Sequence, residues 1–158
     1  MQRYFYLGGV VIVLLAGAAW FTYRAPISLM EMSTRSASSL SDKADFGGVS
    51  LNIEYATSTT AQERGLGGRV SIPDDYGMLF IFPKSDYYGI WMKDMFLPID
   101  IFWLDAQGHI IAVSEDVATS TYPNVFYPPT PVKYVLETAV GFAREHGILV
   151  GASLLLKK

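Results

Sequence analysis

The hydrophobic pattern of this 158-residue chain opens with an uncharged run over residues 4–23, which lies between Arg3 and Arg24. Twenty residues in an α-helix match the hydrocarbon thickness of a bilayer, roughly 30 Å. The run therefore predicts a transmembrane helix, with residues 1–24 as a membrane anchor. A cleaved signal peptide is the alternative, because Ala16-Gly17-Ala18 offers a small-residue cleavage site. Both interpretations predict an extracytoplasmic C-terminal domain, anchored by a single pass in the cell membrane or secreted after cleavage.

The pattern changes over residues 25–48, which contain six serines, scattered charges and few large apolar side chains. Such a segment cannot bury enough surface to offset the entropy lost on ordering the chain. We therefore predict a flexible serine-rich linker that ends at Gly47-Gly48. One globular domain is predicted to follow it, over residues 49–158.

Short strand patterns dominate the predicted domain. Residues 49–55 alternate apolar and polar positions, the period of a half-buried strand. Apolar runs at 78–82, 89–92 and 98–104 predict further strands, and the turn at 105–108 predicts a hairpin with glycine late in the turn. Thr60 and Glu63 have the spacing of a capping box, which predicts a short helix before the glycines at 65, 67 and 68.

One main amphipathic helix is predicted over residues 132–143. Pro131 and Gly147 suit its two ends, and residues 148–156 predict closing strands. The apolar positions recur at helical spacing: Val132, Val135, Leu136, Ala139, Phe142 and Ala143. These elements predict an α+β fold, mainly β, which is a small β-roll or barrel-like domain crossed by one helix.

Composition narrows the chemistry. The chain has no cysteine and two histidines, which excludes disulfides, thiolate metal sites and a three-histidine metal site. The formal net charge of −3 leaves no cationic excess for phosphates, so we predict no nucleic-acid partner. No motif in the chain predicts a cofactor.

Asp100 is the most informative polar residue, because it lies in a strand pattern whose two faces are both apolar. A buried carboxylate needs a cation or several hydrogen-bond donors. We expect it to pair with Arg64, Arg69 or Lys93, either as a structural ion pair or as part of a functional pocket.

Two further patterns are candidate binding sites. Trp91, Lys93 and Asp94 place an aromatic ring beside two opposite charges, which is typical either of a ligand cleft or of a strand end in solvent. The segment 64–69 holds three glycines between Arg64 and Arg69, which suits an anion or a tight turn after a helix.

Carboxylates also raise the possibility of hydrolysis. Asp94, Asp100 and Glu137 could pair as acid and base. On the predicted helix, however, Glu137 lies one turn from Lys133, which favours a surface ion pair.

A resemblance to a known family rests on five short motifs. The sequence is similar to the domain of unknown function 192 family at Glu63 to Arg69, Gly77 to Phe80, Trp91 to Asp94, Pro98 to Asp100, and Tyr134 to Glu137 with Gly141. The resemblance implies a small β-rich domain with one main helix, often exported or membrane-tethered, and no established activity. The chain departs from the usual pattern at Gly67, Asp94 and Ala152.

The leading hypothesis is a membrane-anchored extracytoplasmic binding or accessory module of the cell envelope without catalysis. Its membrane partner contacts residues 4–23, and its ligand is a small anion, a glycan or a peptide. One alternative is a metal-independent hydrolase of an envelope polymer, and the other is a purely structural interaction domain. The sequence identifies no protein partner. The candidate ligand-binding residues are Arg64, Arg69, Trp91, Lys93, Asp94 and Asp100.

Overall fold

The computed structural model describes residues 42–156, which form a mainly β domain with two short helices. In chain order the elements are β1 Asp42–Phe46, β2 Val49–Ala56, α1 Thr59–Arg64, β3 Tyr76–Asp86, β4 Ile90–Trp91, β5 Ile99–Leu104, β6 Ile110–Val117, a 3₁₀ turn Thr119–Thr121, β7 Val125–Phe126, β8 Val132–Ala139, α2 Phe142–His146 and β9 Leu154–Leu156. The predicted α+β, mainly β class is confirmed. The predicted transmembrane segment lies outside the described residues.

Seven strands form one curved sheet in the order β6-β5-β8-β3-β2-β1-β9, and β4 pairs separately with β7. All neighbours in the large sheet are antiparallel except β2 and β3, which are parallel and are joined through α1. The two edges meet at one end, where the Ile110 N–H donates to the Ala152 carbonyl at 2.8 Å and the Leu154 N–H to the Gly108 carbonyl at 2.9 Å. The sheet is therefore a half-barrel.

Both faces of this sheet are covered by apolar groups. One core lies between the sheet and α2, and it includes Phe46, Phe102 and Phe142. The other lies under α1 and the segment around β4, and it includes Phe80 and Trp103. Because side chains alternate along a strand, β5 contributes to both cores and all six of its residues are buried.

The predicted domain boundary at residue 49 is wrong. Residues 42–46, assigned to the flexible linker, form β1, in which Ala44 and Phe46 are fully buried. The run is short and carries three charges, so its two inward side chains gave no clear alternation in the sequence.

The predicted main helix over residues 132–143 is also wrong. Residues Val132–Ala139 form β8, an inner strand between β3 and β5, and only Phe142–His146 is helical. Positions 132, 135, 136 and 139 satisfy helical spacing, but a strand buried on both faces is also apolar at nearly every position. The pairing of β8 with both β3 and β5 shows that the segment is a buried strand and not a helix.

The helix between β2 and β3 begins earlier than the capping box predicts. Ser58 is the N-cap, and its hydroxyl accepts a hydrogen bond from the Ala61 N–H at 3.2 Å. The predicted hairpin is confirmed, since β5 and β6 pair antiparallel and Gly108 has φ +85° in the turn between them. No helix within residues 42–156 is long and apolar enough to span a membrane.

Candidate functional site

The candidate site begins with a row of side chains across four adjacent strands. In the sheet register Glu54 of β2 is opposite Met78 of β3, Met78 is opposite Glu137 of β8, and Glu137 is opposite Ile101 of β5. Directly opposed residues on neighbouring strands project from the same face. Two carboxyl groups therefore lie on the face that α1 covers.

Glu137 is the central group of this site. Its residue is 4% exposed, and its Oε2 atom has no hydrogen-bond partner in the described part of the chain. Burial raises the pKa of Glu137 from 4.5 to about 8, against the smaller opposing effects of the Leu66 N–H and the positive charge of Arg69. The predicted surface pair with Lys133 is wrong, because Lys133 donates instead to the Pro83 carbonyl at 2.9 Å.

We call the opening above this carboxyl group the Glu137 cleft. It is a narrow space of about 40 Å³ lined by Gln62, Glu63, Arg64, Gly65, Leu66, Phe80, Gly89, Ile90, Trp91, Lys93, Met95 and Glu137. A wider recess of about 190 Å³ shares six of these residues and adds Thr59, Phe82 and Tyr88. The two spaces are thus adjacent, with Glu137 in the narrow one.

Gly65 keeps the narrow space open. It ends α1 with φ +52°, a conformation that side chains other than glycine rarely adopt. A Cβ atom there would lie 3.3 Å from both the Glu137 Oε2 atom and the Phe80 ring. The glycine therefore lets the loop end of α1 lie against the carboxyl group without filling the space beside Oε2.

A second, wider pocket lies beside the cleft and shares Arg64 and Gly65 with it. This pocket has a volume of about 260 Å³ and contains Glu54 and Arg69. Arg69 donates to Glu54 at 2.8 Å and lies 5.0 Å from the Tyr76 ring centroid, while the Tyr76 hydroxyl donates to the same carboxylate at 2.5 Å. Burial raises the pKa of Glu54, but these hydrogen bonds lower it by more, so the net shift is downward.

The opposite rim of the cleft is the segment 91–95. Trp91 is 44% exposed, and the Lys93 ammonium lies 5.9 Å from its ring centroid. Asp94 has φ +57°, and its carbonyl accepts a hydrogen bond from the Gly68 N–H at 2.9 Å. This bond ties the rim to the glycine loop that follows α1.

Asp100 lies on the other face of the sheet and does not join the site. It is fully buried as predicted, but the predicted pairing with Arg64, Arg69 or Lys93 is wrong. Its Oδ1 atom accepts from the N–H groups of Asp116 at 2.9 Å and Gly141 at 3.2 Å, and its Oδ2 atom accepts from the Ala143 N–H at 2.8 Å. The side chain therefore fixes β6 and the start of α2 to β5.

Besides Asp100 on the other face, the predicted ligand-binding residues separate into three groups. Arg64, Trp91 and Lys93 line the Glu137 cleft, whereas Arg69 lines the neighbouring pocket. Asp94 is exposed at the rim, outside the set of residues that line either space. Glu137 became a surface residue in the sequence analysis because its strand was read as a helix. Reading residues 132–139 as a strand would have put it on the face of Val135, which is buried.

Metal binding gains no support from the arrangement. No group of three or more His, Cys, Asp or Glu side chains within residues 42–156 has a geometry that could hold a metal ion. The cleft has the buried carboxyl group of Glu137 and, among its exposed lining residues, the charged side chains of Glu63, Arg64 and Lys93.

The fold and the cleft define a small half-barrel domain in which a crossover helix covers a buried carboxyl group. The chain belongs to the DUF192 family, described as an uncharacterized ACR, whose model matches residues 42–156. No curated protein matches the chain.

Two solved structures are similar to this fold. A crystal structure described as that of a candidate transcription regulator from Sinorhizobium meliloti 1021 is 26% identical, with a TM-score of 0.71, covering 76% of this chain and 96% of that one. A protein of unknown function from Novosphingobium aromaticivorans DSM 12444 is 23% identical, with a TM-score of 0.66, covering 71% of this chain and 82% of that one.

Proposed function

We propose that this chain is a membrane-anchored, extracytoplasmic binding module of the cell envelope, and that its DUF192 domain holds a small ligand in the Glu137 cleft. One observation carries the proposal, namely the buried Glu137 Oε2 atom without a partner. Buried polar atoms without partners are uncommon in folded proteins, and each costs free energy until something satisfies it. Glu137 lines an open cleft, so a ligand in that cleft would lie beside the carboxyl group.

The rest of the cleft supports this reading. The Trp91 ring offers apolar contact at the mouth, and Arg64 and Lys93 are exposed cations that line the same space. Glu63 lines it too, so the cleft places several ionisable side chains beside an aromatic ring, and converging polar groups of this kind fix the orientation of a small molecule. The uncharged run at residues 4–23 supports the membrane anchor.

Hydrolysis is a second candidate, because the raised pKa of Glu137 suits a general acid near neutral pH. An acid of this kind needs a second ionisable group that converges on the substrate. Asp100 is engaged by three backbone amides on the other face, and Asp94 is exposed at the rim. Neither carboxylate that the sequence paired with Glu137 converges on it, and Glu63, which also lines the cleft, is exposed at its mouth. We therefore favour binding over turnover. A role in transcription regulation, which the description of the Sinorhizobium protein names for that protein, gains no support here, because a net charge of −3 leaves no cationic excess for nucleic acid.

The binding test uses the full chain in a sugar-free detergent with a panel of envelope glycan fragments, short peptides and small anions. We expect at least one class to raise the melting temperature and to shift the NMR signals of the cleft residues. Gly65→Ala should abolish the effect, because its Cβ would occupy the space beside Glu137.

Gly68→Ala is the matched control, since Gly68 also has positive φ but nothing lies within 4 Å of its added Cβ. Loss of binding in both variants would point to backbone strain and not to the cleft. Turnover of a polymer that Glu137→Gln abolishes would favour the hydrolase. If no member of the panel binds or is turned over, the result would favour a structural domain.

The membrane proposal has a separate test. After alkaline carbonate extraction of cells that express the full chain, we expect the protein in the membrane fraction, with its domain open to protease from the outer side. A soluble product that begins at Trp20 or later would show that the segment is a cleaved signal peptide.

A further inference from the structure

Resting on the proposed function, we infer that the Glu137 cleft recognises an acylated amino sugar. Glu137 acts there as an uncharged carboxylic acid that donates its hydrogen to the amide carbonyl oxygen of the sugar. Three features of the cleft lead to this ligand class: the charge state of the buried acid, the atom that lacks a partner, and the shape of the two connected spaces.

The charged groups around Glu137 leave it without a neutralising partner. On the sheet, Arg69 is bonded to Glu54 at 2.8 Å, and Tyr76 donates to the same carboxylate. Because Arg69 is already paired with Glu54, its positive charge stabilises the charged form of Glu137 only weakly.

The elements that cover the sheet also provide no ion-pair partner for Glu137. From α1, Glu63 and Arg64 are both exposed at the mouth of the cleft. From the opposite rim, Lys93 is exposed beside the Trp91 ring and Asp94 is exposed outside the lining. A carboxyl group in this position favours its uncharged form, because burial penalises the charged one.

An uncharged carboxyl group has one hydrogen to donate. The Leu66 N–H already serves as a donor to the Glu137 carboxyl group. The Oε2 atom has no partner and is beside the space that Gly65 leaves open. The complementary ligand atom is an uncharged acceptor, since an anion buried there would meet no cation at the base. An amide carbonyl oxygen is a strong acceptor of this kind.

The shape of the cleft indicates where this carbonyl lies within the ligand. The narrow space of about 40 Å³ has room for a small terminal group and ends against Phe80 and Glu137. The wider recess of about 190 Å³ is lined by aromatic side chains, among them Phe82, Tyr88 and Trp91. Phe82 and Tyr88 stack on each other with ring centroids 3.6 Å apart, so the exposed Trp91 ring offers the face on which a sugar ring can stack while an acetamido branch enters the narrow space. A carbonyl within a continuous peptide would need room for chain on both sides of it.

The binding experiment uses the full chain in a sugar-free detergent with four probes: N-acetylglucosamine, glucosamine, glucose and N-acetylglycinamide. Saturation-transfer NMR and titration are run at about pH 6 and about pH 9.5, on either side of the pKa of about 8. We expect N-acetylglucosamine to bind about tenfold or more tightly at the lower pH, and about tenfold more tightly than glucose or glucosamine at that pH.

Two variants test the role of Glu137. Glu137→Gln keeps a hydrogen-bond donor that does not titrate, so its binding of N-acetylglucosamine should become independent of pH. Glu115→Gln is the matched control, because Glu115 is exposed on the edge strand β6, and it should keep the pH dependence of the parent. A Glu137→Gln variant that still loses affinity at high pH would overturn the assignment.

Infrared difference spectra test the charge state without any ligand. At about pH 6 the parent should show the carbonyl stretch of a protonated carboxylic acid that Glu137→Gln lacks. A carboxylate at that pH overturns the inference even if ligands still bind. Equal binding of glucose, or tighter binding of N-acetylglycinamide, overturns the sugar class and leaves the proposed function standing. If no probe and no member of the wider panel binds, both fail.

Discussion

Two buried carboxyl groups lie on opposite faces of the same sheet, and they differ in how the protein treats them. Both oxygens of Asp100 accept hydrogen bonds, and all three donors are backbone N–H groups of β6 and the segment that leads into α2. The Glu137 carboxyl group accepts a hydrogen bond from the Leu66 N–H, but its Oε2 atom has no hydrogen-bond partner in the described structure.

The difference separates a structural carboxylate from a candidate binding group. Breaking these hydrogen bonds would require local unfolding of the segments that carry the three amides. The Asp100 side chain therefore has a structural role. The free atom of Glu137 faces an open cleft, so a ligand can supply what the chain does not. Both residues are buried, and it is their hydrogen-bond partners that distinguish them.

The largest effect is expected from Asp100→Ala. The substitution leaves three N–H groups without their acceptor, of which those of Gly141 and Ala143 are buried and that of Asp116 is part-buried, and each buried loss costs about 1 to 3 kcal/mol. We expect the free energy of unfolding of the full chain to fall by about 4 to 6 kcal/mol, measured by urea denaturation. Asp116→Asn is the control, because its exposed side chain bonds Arg144 at 2.7 Å and should cost less than about 1 kcal/mol. Equal losses in the two variants would contradict the structural role of Asp100.

The second prediction concerns pH. Folded Glu137 keeps its proton up to about pH 8, whereas the unfolded chain loses it near 4.5, so the unfolded state binds fewer protons between these values. The contribution of protonated Glu137 to the free energy of unfolding is therefore fully present below pH 4.5, and it is lost as the pH rises through about 8. Glu137→Gln should match the parent at low pH and exceed it at high pH by on the order of 5 kcal/mol. Parallel stability curves for parent and variant would refute this prediction.

Glu54 should give a smaller effect of the opposite sign. Its pKa lies below the ordinary value of 4.5, so its stabilising contribution is present above that pH and is lost as the pH falls. Its side chain is one-third exposed, and Glu54→Gln should cost about 1 kcal/mol near neutral pH. Denaturation at neutral and acidic pH checks this, with Arg69→Met as the partner variant. A cost that persists in acid would show that packing and not charge is responsible.

The smallest change in stability is expected from Lys93→Met. The side chain is exposed, and surface substitutions usually alter stability by less than about 0.5 kcal/mol. Ligand binding in the cleft should nevertheless weaken if the ligand carries an anionic group, and should be nearly unchanged if it is neutral. Comparing the affinities of a charged and an uncharged ligand for parent and variant separates these outcomes.

The sequence predicted the burial of Asp100 because the residues around it are apolar on both faces of the strand. It could not predict the donors, since backbone amides look alike in every sequence and only the fold brings Gly141 and Ala143 to that carboxylate. The hairpin between β5 and β6 was predictable from its turn and from Gly108, both of which are local signals.

The error at residues 132–139 had a larger consequence. A strand buried on both faces has no period of two, so its apolar residues matched a helical stripe instead. That assignment moved Glu137 from the centre of the cleft to the surface. Arg64, Trp91 and Lys93 were predicted from residue type alone, whereas Glu137 was named only for the hydrolase alternative and was placed on a helix surface.

The pairing of β1 with β9 has a consequence for how the domain folds. These are the first and last strands of the described residues, and Ala44 lies opposite Leu156. Such a pair has a high contact order, because a loop of nearly the whole domain must close before it forms, and folding is expected to be slow. β1 pairs locally with β2 across the turn at Gly47-Gly48, so β9 is the strand that closes the sheet over this long sequence separation. Before β9 docks, the outer edge of β1 is an unpaired strand edge, which is the kind of surface that a chaperone shields from aggregation.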